Sequence, residues 1–367
     1  MKPRVLFVGR GRLTLPLAPW LARKWDALDE VLDLRVLNAG SGSGDPRFML
    51  LPDRAEAFYP RLVYEIARTL RSFRPEVIVA SDPYVGGAAL AGRRLSRHGV
   101  KVIVEVHGDP RTFTRGYGSS ARRFVSPLTD AVARRSLRDA DATRALSNFT
   151  SSLIEEVRGR PATAAFPTYS DLSAFADPPI VPVSDERRVV FVGALEQYKN
   201  VDGLAAAWRR VARDVPDATL AVVGKGSRHE VIDRLVAELP DRVEHHRELL
   251  PPQVAAEIDR ARALILPSWP EGLGRVVLEA FARGRTAVAT NAGGIRDIVT
   301  DGHDGILIPV ADTGALVAGM RRVLEDRELA VRLGAAARTS YEPWHQTAAD
   351  FAAAYRRLVD DAIAGAR

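Results

Sequence analysis

The chain predicts an α/β fold made of parallel sheets. Short runs rich in β-branched residues alternate with longer helical patterns from one end to the other, the order that βαβ units produce. Glycine turns follow several of these runs, at Gly9–Gly11, Gly272–Gly274 and Gly293–Gly294. Open parallel sheets carry their ligand crevices at such strand exits. A length of 367 residues suits two domains of ordinary size.

Val5–Val8 is the first strand, and it runs into G-R-G-R at Gly9–Arg12. A dinucleotide fingerprint opens this way, but Thr14 replaces its third glycine, which weakens the case for nicotinamide. Leu34–Leu37, Val77–Ala80, Val102–Val106 and Thr143–Leu146 read as further strands, with helices over Arg61–Phe73 and Gly86–Leu95. The stretches Gly40–Pro52 and Gly108–Ser120 read as mobile loops of the kind that carries specificity. His107 closes the strand V-I-V-E-V-H at the functional edge of its sheet, although a lone histidine is more often structural. Asp139 and Asp141 form an Asp-x-Asp pair just before a short strand, which reads as a polar helix-to-strand turn. Five prolines between Pro161 and Pro182 mark a linker.

A second series begins with Arg188–Asn200, a strand that ends at Gly193 with Lys199 just beyond it. The strand Ala218–Gly224 and the helices Glu230–Leu239 and Pro251–Arg260 follow, then the strand Ala263–Leu266. Thr286–Thr290 is the last strand predicted, and helices cover Asp312–Glu325, Arg327–Arg338 and Ala348–Ile363. His245 and His246 are adjacent and point apart in any regular element. With no third ligand at useful spacing, the sequence predicts no metal site.

The stretch from Pro267 to Gly284 organises this half. It opens a helix behind a glycine-rich turn, where free backbone N–H groups and the helix dipole favour phosphate. Glu271 stands in the loop ahead of the helix, and Glu279 lies within it among Leu278, Ala280 and Phe281. A carboxylate in such apolar company needs partners such as hydroxyls, which suggests a sugar.

This stretch resembles the glutamate–seven residues–glutamate motif of retaining nucleotide-sugar glycosyltransferases, family 4. The resemblance continues through Thr286–Val299 and Asp301–Pro309, covers most of residues 188–325, and extends more loosely over the N-terminal half. It implies the GT-B architecture, two facing Rossmann-like domains with a cleft between them. Residues 1–170 would be the acceptor-binding domain and 171–345 the nucleotide-sugar-binding domain. Residues 346–367 would form a helix returning to the first domain, with Tyr341–Trp344 as the crossing point. The implied reaction is transfer of a sugar from a nucleotide-sugar to an acceptor hydroxyl with retention of configuration. The donor phosphate would serve as base, with neither metal nor cofactor.

By the same resemblance His107, Glu271 and Lys199 are catalytic. Donor contacts fall to Gly9, Gly11, Gly193, Lys199, Glu271, Gly272, Leu273, Gly274, Arg275, Val276 and Glu279. Lys199 would hold the diphosphate, Glu271 the sugar hydroxyls and Glu279 the ribose. Two positions depart from the family pattern. Ala194 stands where a phosphate-binding arginine is expected, leaving Arg275 or Lys225 to supply that charge. Only Asp171 survives from an Asn-Gly-Asp run. An epimerase or phosphorylase on the same scaffold, or a non-catalytic nucleotide-sugar binder, remains an alternative.

Composition bounds the rest. No apolar run approaches the ~18 residues needed to span a bilayer. The absence of cysteine excludes disulfides and thiolate metal sites but places the protein in no compartment. A cytosolic location is the default expectation. Residues 1–175 hold 27 Lys and Arg against 18 Asp and Glu, whereas residues 176–367 hold 25 against 28. The basic half points to an anionic partner, either a glycan or lipid-linked acceptor or the inner face of a membrane. Arginines scattered over solvated faces are the alternative. Nothing points to nucleic acid.

Overall fold

The structure, a computed structural model, describes residues 1–52, 58–109 and 120–365, with backbone alone for residues 120–126. It divides into two compact units. One comprises Met1–Asp171 with Gln346–Arg367, and the other Leu172–His345.

In the first unit, strands β1 (Arg4–Val8), β2 (Leu13–Thr14), β3 (Asp33–Ser41), β4 (Phe48–Leu51), β5 (Val77–Ala80), β6 (Lys101–Val106), β7 (Ala142–Ala145) and β8 (Ala164–Ala165) form one sheet. Its order is β2-β3-β1-β5-β6-β7-β8, with β4 paired to β3. Every residue of β5 is buried, as a strand covered on both faces requires. The strand exits feed helices with strong start signals. Asp82 caps the helix Pro83–Ser96, its carboxylate accepting from the amides of Tyr84 and Val85 at 2.8 Å, with proline in the first turn. Ser147 caps the helix Asn148–Arg158, which ends on Gly159 at φ 68°.

The segment Gly40–Pro52 is not simply a loop. Gly40 and Ser41 end β3, and Phe48–Leu51 pairs with it in parallel because Phe48 and Leu51 bury against the sheet. Of the stretch Gly108–Ser120, only Gly108, Asp109 and the first residue of the helix Ser120–Asp139 fall within the described residues. The helix Ala348–Ala364 belongs to this unit. Thr347 and Asp350 make its capping box, and Phe351, Tyr355, Leu358 and Ala362 recur at helical spacing on its buried face. That face shares one core with Trp25 and Leu28 of the helix Pro19–Val31.

The second unit is a six-stranded parallel sheet of β9 (Arg188–Val192), β10 (Thr219–Val223), β11 (Val243–His246), β12 (Ala263–Leu266), β13 (Thr286–Thr290) and β14 (Gly305–Ile308). Its order, β11-β10-β9-β12-β13-β14, reverses direction between β9 and β12. Ligand crevices form at such a reversal, outside the carboxyl ends of the strands. The proline-rich segment is bound to this unit from Leu172 onward. Buried Arg283 donates to the carbonyls of Phe175, Pro178 and Pro179, and Arg285 to that of Pro182. Asp259 balances Arg283 with a two-point contact at 2.8 Å.

Candidate functional site

The predicted site residues fall into two groups, one in each unit. In the second unit the exits of β9 and β12 flank the reversal of strand order. The β9 exit passes Gly193 and Ala194 into a short 3-10 turn, Gln197–Lys199. The β12 exit passes Ser268 and Trp269 into Glu271 and the glycine turn. The two loops are tied together, since the Trp269 amide donates to the Tyr198 carbonyl at 2.7 Å. Lys199, whose side chain is only 9% exposed, crosses that junction. Its Nζ donates to both oxygens of Glu271, at 2.7 and 2.8 Å.

The helix Arg275–Ala282 follows Gly274, which holds φ 85°. The first turn of such a helix directs its amides and the positive end of its dipole toward an anion. Glu279 is buried one turn on, at 3.0 Å from Arg275 Nε. Burial pushes the Glu279 carboxyl above the ordinary carboxylate range, with Arg275 and then Lys199 pulling it back. The structure therefore gathers Lys199, Glu271, Arg275 and Glu279 into one charge cluster beside Gly193. Of the two substitutes for the arginine missing at Ala194, Arg275 belongs to this cluster. Lys225 is paired with Glu248 at 2.8 Å on the exposed surface.

Backbone packing explains the glycines. Gly293 holds φ 62°, and a Cβ there would meet the backbone of Glu271, lying 2.6 Å from its nitrogen and closer still to its oxygen. The Gly294 amide donates to the Glu271 carbonyl at 2.8 Å, and a Cβ on Gly294 would lie 2.7 Å from Leu273 Cα. The β13 exit thus presses directly on the loop that carries Glu271 and Gly272, and only glycine permits that approach. Gly193, in turn, lies against the Lys199 side chain.

In the first unit Gly9 lies at the β1 exit, where a side chain would collide with Asn38 Oδ1. The Asn38 amide donates to the Gly11 carbonyl. His107 follows β6, and its Nε2 lies 3.0 Å from Glu105 Oε2. Glu105 is buried, and its other oxygen accepts from Arg144 and from the Tyr355 hydroxyl. Glu105 and Arg144 face each other across paired strands β6 and β7. Arg144 is enclosed by aromatic rings, with Phe166 at 4.3 Å and Tyr355 at 5.1 Å from its guanidinium carbon. Although burial opposes ionisation of Glu105, Arg144 and His107 hold its carboxyl well below the usual range. Sequence reading missed Glu105, Arg144 and Tyr355. The signal was there, in a lone charge within each of two apolar strands, since buried charges come paired.

The other polar sets have their own partners. Asp139 is held by Arg135 at 2.7 Å and Asp141 by Arg93 at 2.6 Å, with the Val102 amide donating to Asp141 as well. His245 Nε2 lies 3.0 Å from the Gly224 carbonyl. The fold does bring Glu244 and Glu257 within 4.8 Å of His246, a grouping that sequence spacing hides. Arg188 donates to both of those carboxylates at 2.7–2.8 Å and Arg260 lies 3.3 Å from Glu257, so two cations already face the two carboxylates. Asp171 accepts from Arg23 at 2.6 Å.

Comparison with known proteins identifies the family and the fold. Residues 175–340 match the family model described as glycosyl transferases group 1, and residues 10–167 match the glycosyl transferase 4-like domain. The chain is 30% identical over 302 residues to glycogen synthase of Mycobacterium tuberculosis, covering 78% of this chain and 70% of that protein. Its fold is similar to that of sucrose-phosphate synthase from Thermosynechococcus elongatus, with TM-score 0.77, 20% identity and coverage of 97% and 99%. Anabaena HepE, solved in complex with UDP-glucose, is similar with TM-score 0.72, 16% identity and coverage of 97% and 99%. The alternating strands and helices, the switch-point cluster and these matches together place the chain in the GT-B glycosyltransferases, as a member of the group 1, family 4-like enzymes.

Proposed function

We propose that this glycosyltransferase moves a sugar from a nucleotide-sugar to an acceptor hydroxyl with retention of configuration, and without a metal. The observation that carries the reading is the cluster of Lys199, Glu271, Arg275 and Glu279 at the sheet's switch point. It offers two cations and a helix N-terminus to a diphosphate, beside two carboxylates able to accept from hydroxyls. Lys199 and the helix N-terminus at Gly272 to Val276 hold the diphosphate as the leaving group forms. Their stabilisation grows with the charge that develops in the transition state. Glu271 exchanges part of its contact with Lys199 for the sugar hydroxyls, and Glu279 accepts from the ribose. His107 contacts the donor sugar. The departing phosphate takes the proton from the acceptor hydroxyl, which attacks the face that the leaving group vacates.

The acceptor is anionic, either a lipid-linked phosphate or an acidic glycan. The excess of nine positive charges in residues 1–175 supports this, because the donor phosphates are assigned to the second unit. Leu128 and Val132, exposed one turn apart on the helix Ser120–Asp139, add apolar contacts near Arg135 that suit a membrane surface. The contact proposed is peripheral, at the cytoplasmic face; among the described residues no helix is long and apolar enough to cross a membrane.

A thermal-shift screen of nucleotide-sugars identifies the donor by mass action. The anomeric configuration of the product then tests retention, and an inverted product would overturn it. Co-sedimentation with neutral and anionic vesicles at low and high salt tests the membrane contact, since exposed charges are screened over ~8 Å at physiological salt. Equal partitioning onto both vesicles would leave a soluble acceptor as the better reading.

A further inference from the structure

The geometry points to Glu105 as the positioning residue of His107, holding the ring so that Nδ1 meets the donor as a hydrogen-bond acceptor. This rests on the reading that His107 contacts the donor sugar, and it specifies what that contact is. Glu105 lies on β6 two residues before His107 and directly opposite Arg144 in the register with β7. It is 6% exposed and Arg144 is 1% exposed. Three donors converge on its carboxylate. Arg144 and the Tyr355 hydroxyl take Oε1, and His107 Nε2 lies 3.0 Å from Oε2. Arg144 is itself fixed by the Phe166 carbonyl at 3.1 Å and Thr168 Oγ1 at 3.2 Å.

A carboxylate facing a buried guanidinium stays ionised, and an ionised carboxylate only accepts. The proton between Glu105 and His107 therefore sits on Nε2. In the neutral imidazole this leaves Nδ1 with a bare lone pair. The ring is 36% exposed, and Nδ1 makes no hydrogen bond among the described residues. A bare lone pair accepts a hydrogen bond from a sugar hydroxyl and has nothing to donate to a phosphate oxygen. Without its partner the ring would be free to adopt the other tautomer. Tyr355 lies on the helix Ala348–Ala364, so that helix supports the catalytic residue through one intervening carboxylate.

Nitrogen-15 spectra of histidine-labelled protein at pH 8 read the tautomer directly, with His107→Gln assigning its signal among seven histidines. The wild type should show the Nε2–H form. Glu105→Gln, whose amide can donate, should shift the ring toward Nδ1–H. It should also slow nucleoside diphosphate release from a mixture of UDP-glucose, ADP-glucose and GDP-mannose by at least tenfold. Glu105→Asp keeps the charge that pairs with Arg144 but draws the carboxylate back from His107, so it should shift both readouts the same way, by less, which keeps the test valid if Glu105→Gln folds poorly. An Nδ1–H wild type would overturn the proposal. So would Glu105→Gln with an unchanged tautomer and full release rate beside an inactive His107→Ala. His107→Ala with full activity would instead overturn the donor contact itself and leave the tautomer result standing.

Discussion

Lys199 and Glu271, 72 residues apart in the chain, close on each other with the ammonium 2.7 and 2.8 Å from the two carboxylate oxygens. Each is the other's counter-ion before any donor arrives. The residues assigned to phosphate and to sugar are therefore oriented by one contact, between the loops that leave β9 and β12.

That contact predicts an asymmetry between single and double substitutions. Lys199→Met leaves the nearly buried Glu271 carboxylate unpaired and should cost up to about 3 kcal/mol, the lower end for a buried pair. Adding Glu271→Leu removes the orphaned charge and should restore most of the melting temperature. Both variants should be inactive. Calorimetry beside a turnover assay separates the effects, and a double variant no more stable than the single one would refute the pairing.

Glu279 predicts a conflict between stability and binding. Its carboxyl is held above the ordinary range by burial, so the folded state disfavours the charged form. A folded value above the unfolded one gives stability that is complete below the unfolded value and is lost as pH rises toward the folded value. Glu279→Gln should therefore raise the melting temperature at pH 7 by a few degrees, a gain that shrinks on acidification toward pH ~4.3. The same variant should bind nucleotide at least tenfold more weakly, for want of a charge-assisted hydrogen bond worth about 1.5–3 kcal/mol. Calorimetric titration with UDP and with GDP checks the second half.

Glu105 should show the opposite slope. Its folded-state value is depressed by Arg144 and His107 despite burial, so its contribution is present above the unfolded value and is lost only as pH falls below it. Glu105→Gln should lower the melting temperature by a nearly constant amount from pH 7 down to about pH 5. The gap should narrow only in stronger acid, below pH ~4.3. A gap that closed already between pH 7 and 6 would mean that the carboxylate is not held ionised as described.

Gly293 and Gly302 both hold positive φ, at 62° and 72°, but only Gly293 lies against another backbone. Alanine at Gly302 meets nothing within 4 Å and should cost only the conformational penalty, about 1–2 kcal/mol. Alanine at Gly293 must push the Glu271 loop aside. It should lower turnover at least tenfold even in the fraction that remains folded. Equal activity in the two variants would show that the Glu271 loop tolerates displacement.

The α/β class and the parallel sheets were legible because buried strands such as Val77–Ala80 and Ala263–Leu266 are unbroken apolar runs between amphipathic helices. The motif helix was legible because Gly272 and Gly274 punctuate it. Strand β4 was hidden, because glycines and a proline around Phe48–Leu51 carry a loop's signature and only pairing with β3 makes it a strand. The pairing of Lys199 with Glu271, and of Glu105 with Arg144 and Tyr355, was also out of reach. Such contacts depend on strand order and register, which no local pattern encodes.

The first unit is assembled from two pieces of chain, Met1–Asp171 and Gln346–Arg367, whereas the second is one continuous segment. On a ribosome adding about 5–20 residues per second, the Leu172–His345 segment takes on the order of 10–35 s to emerge. Throughout that interval the places of Phe351 and Tyr355 stand vacant beside Trp25 and Phe166, and Glu105 lacks its phenol donor. The unit made first is therefore the last to close, and its unfinished apolar face is the surface that a chaperone would meet on the nascent chain.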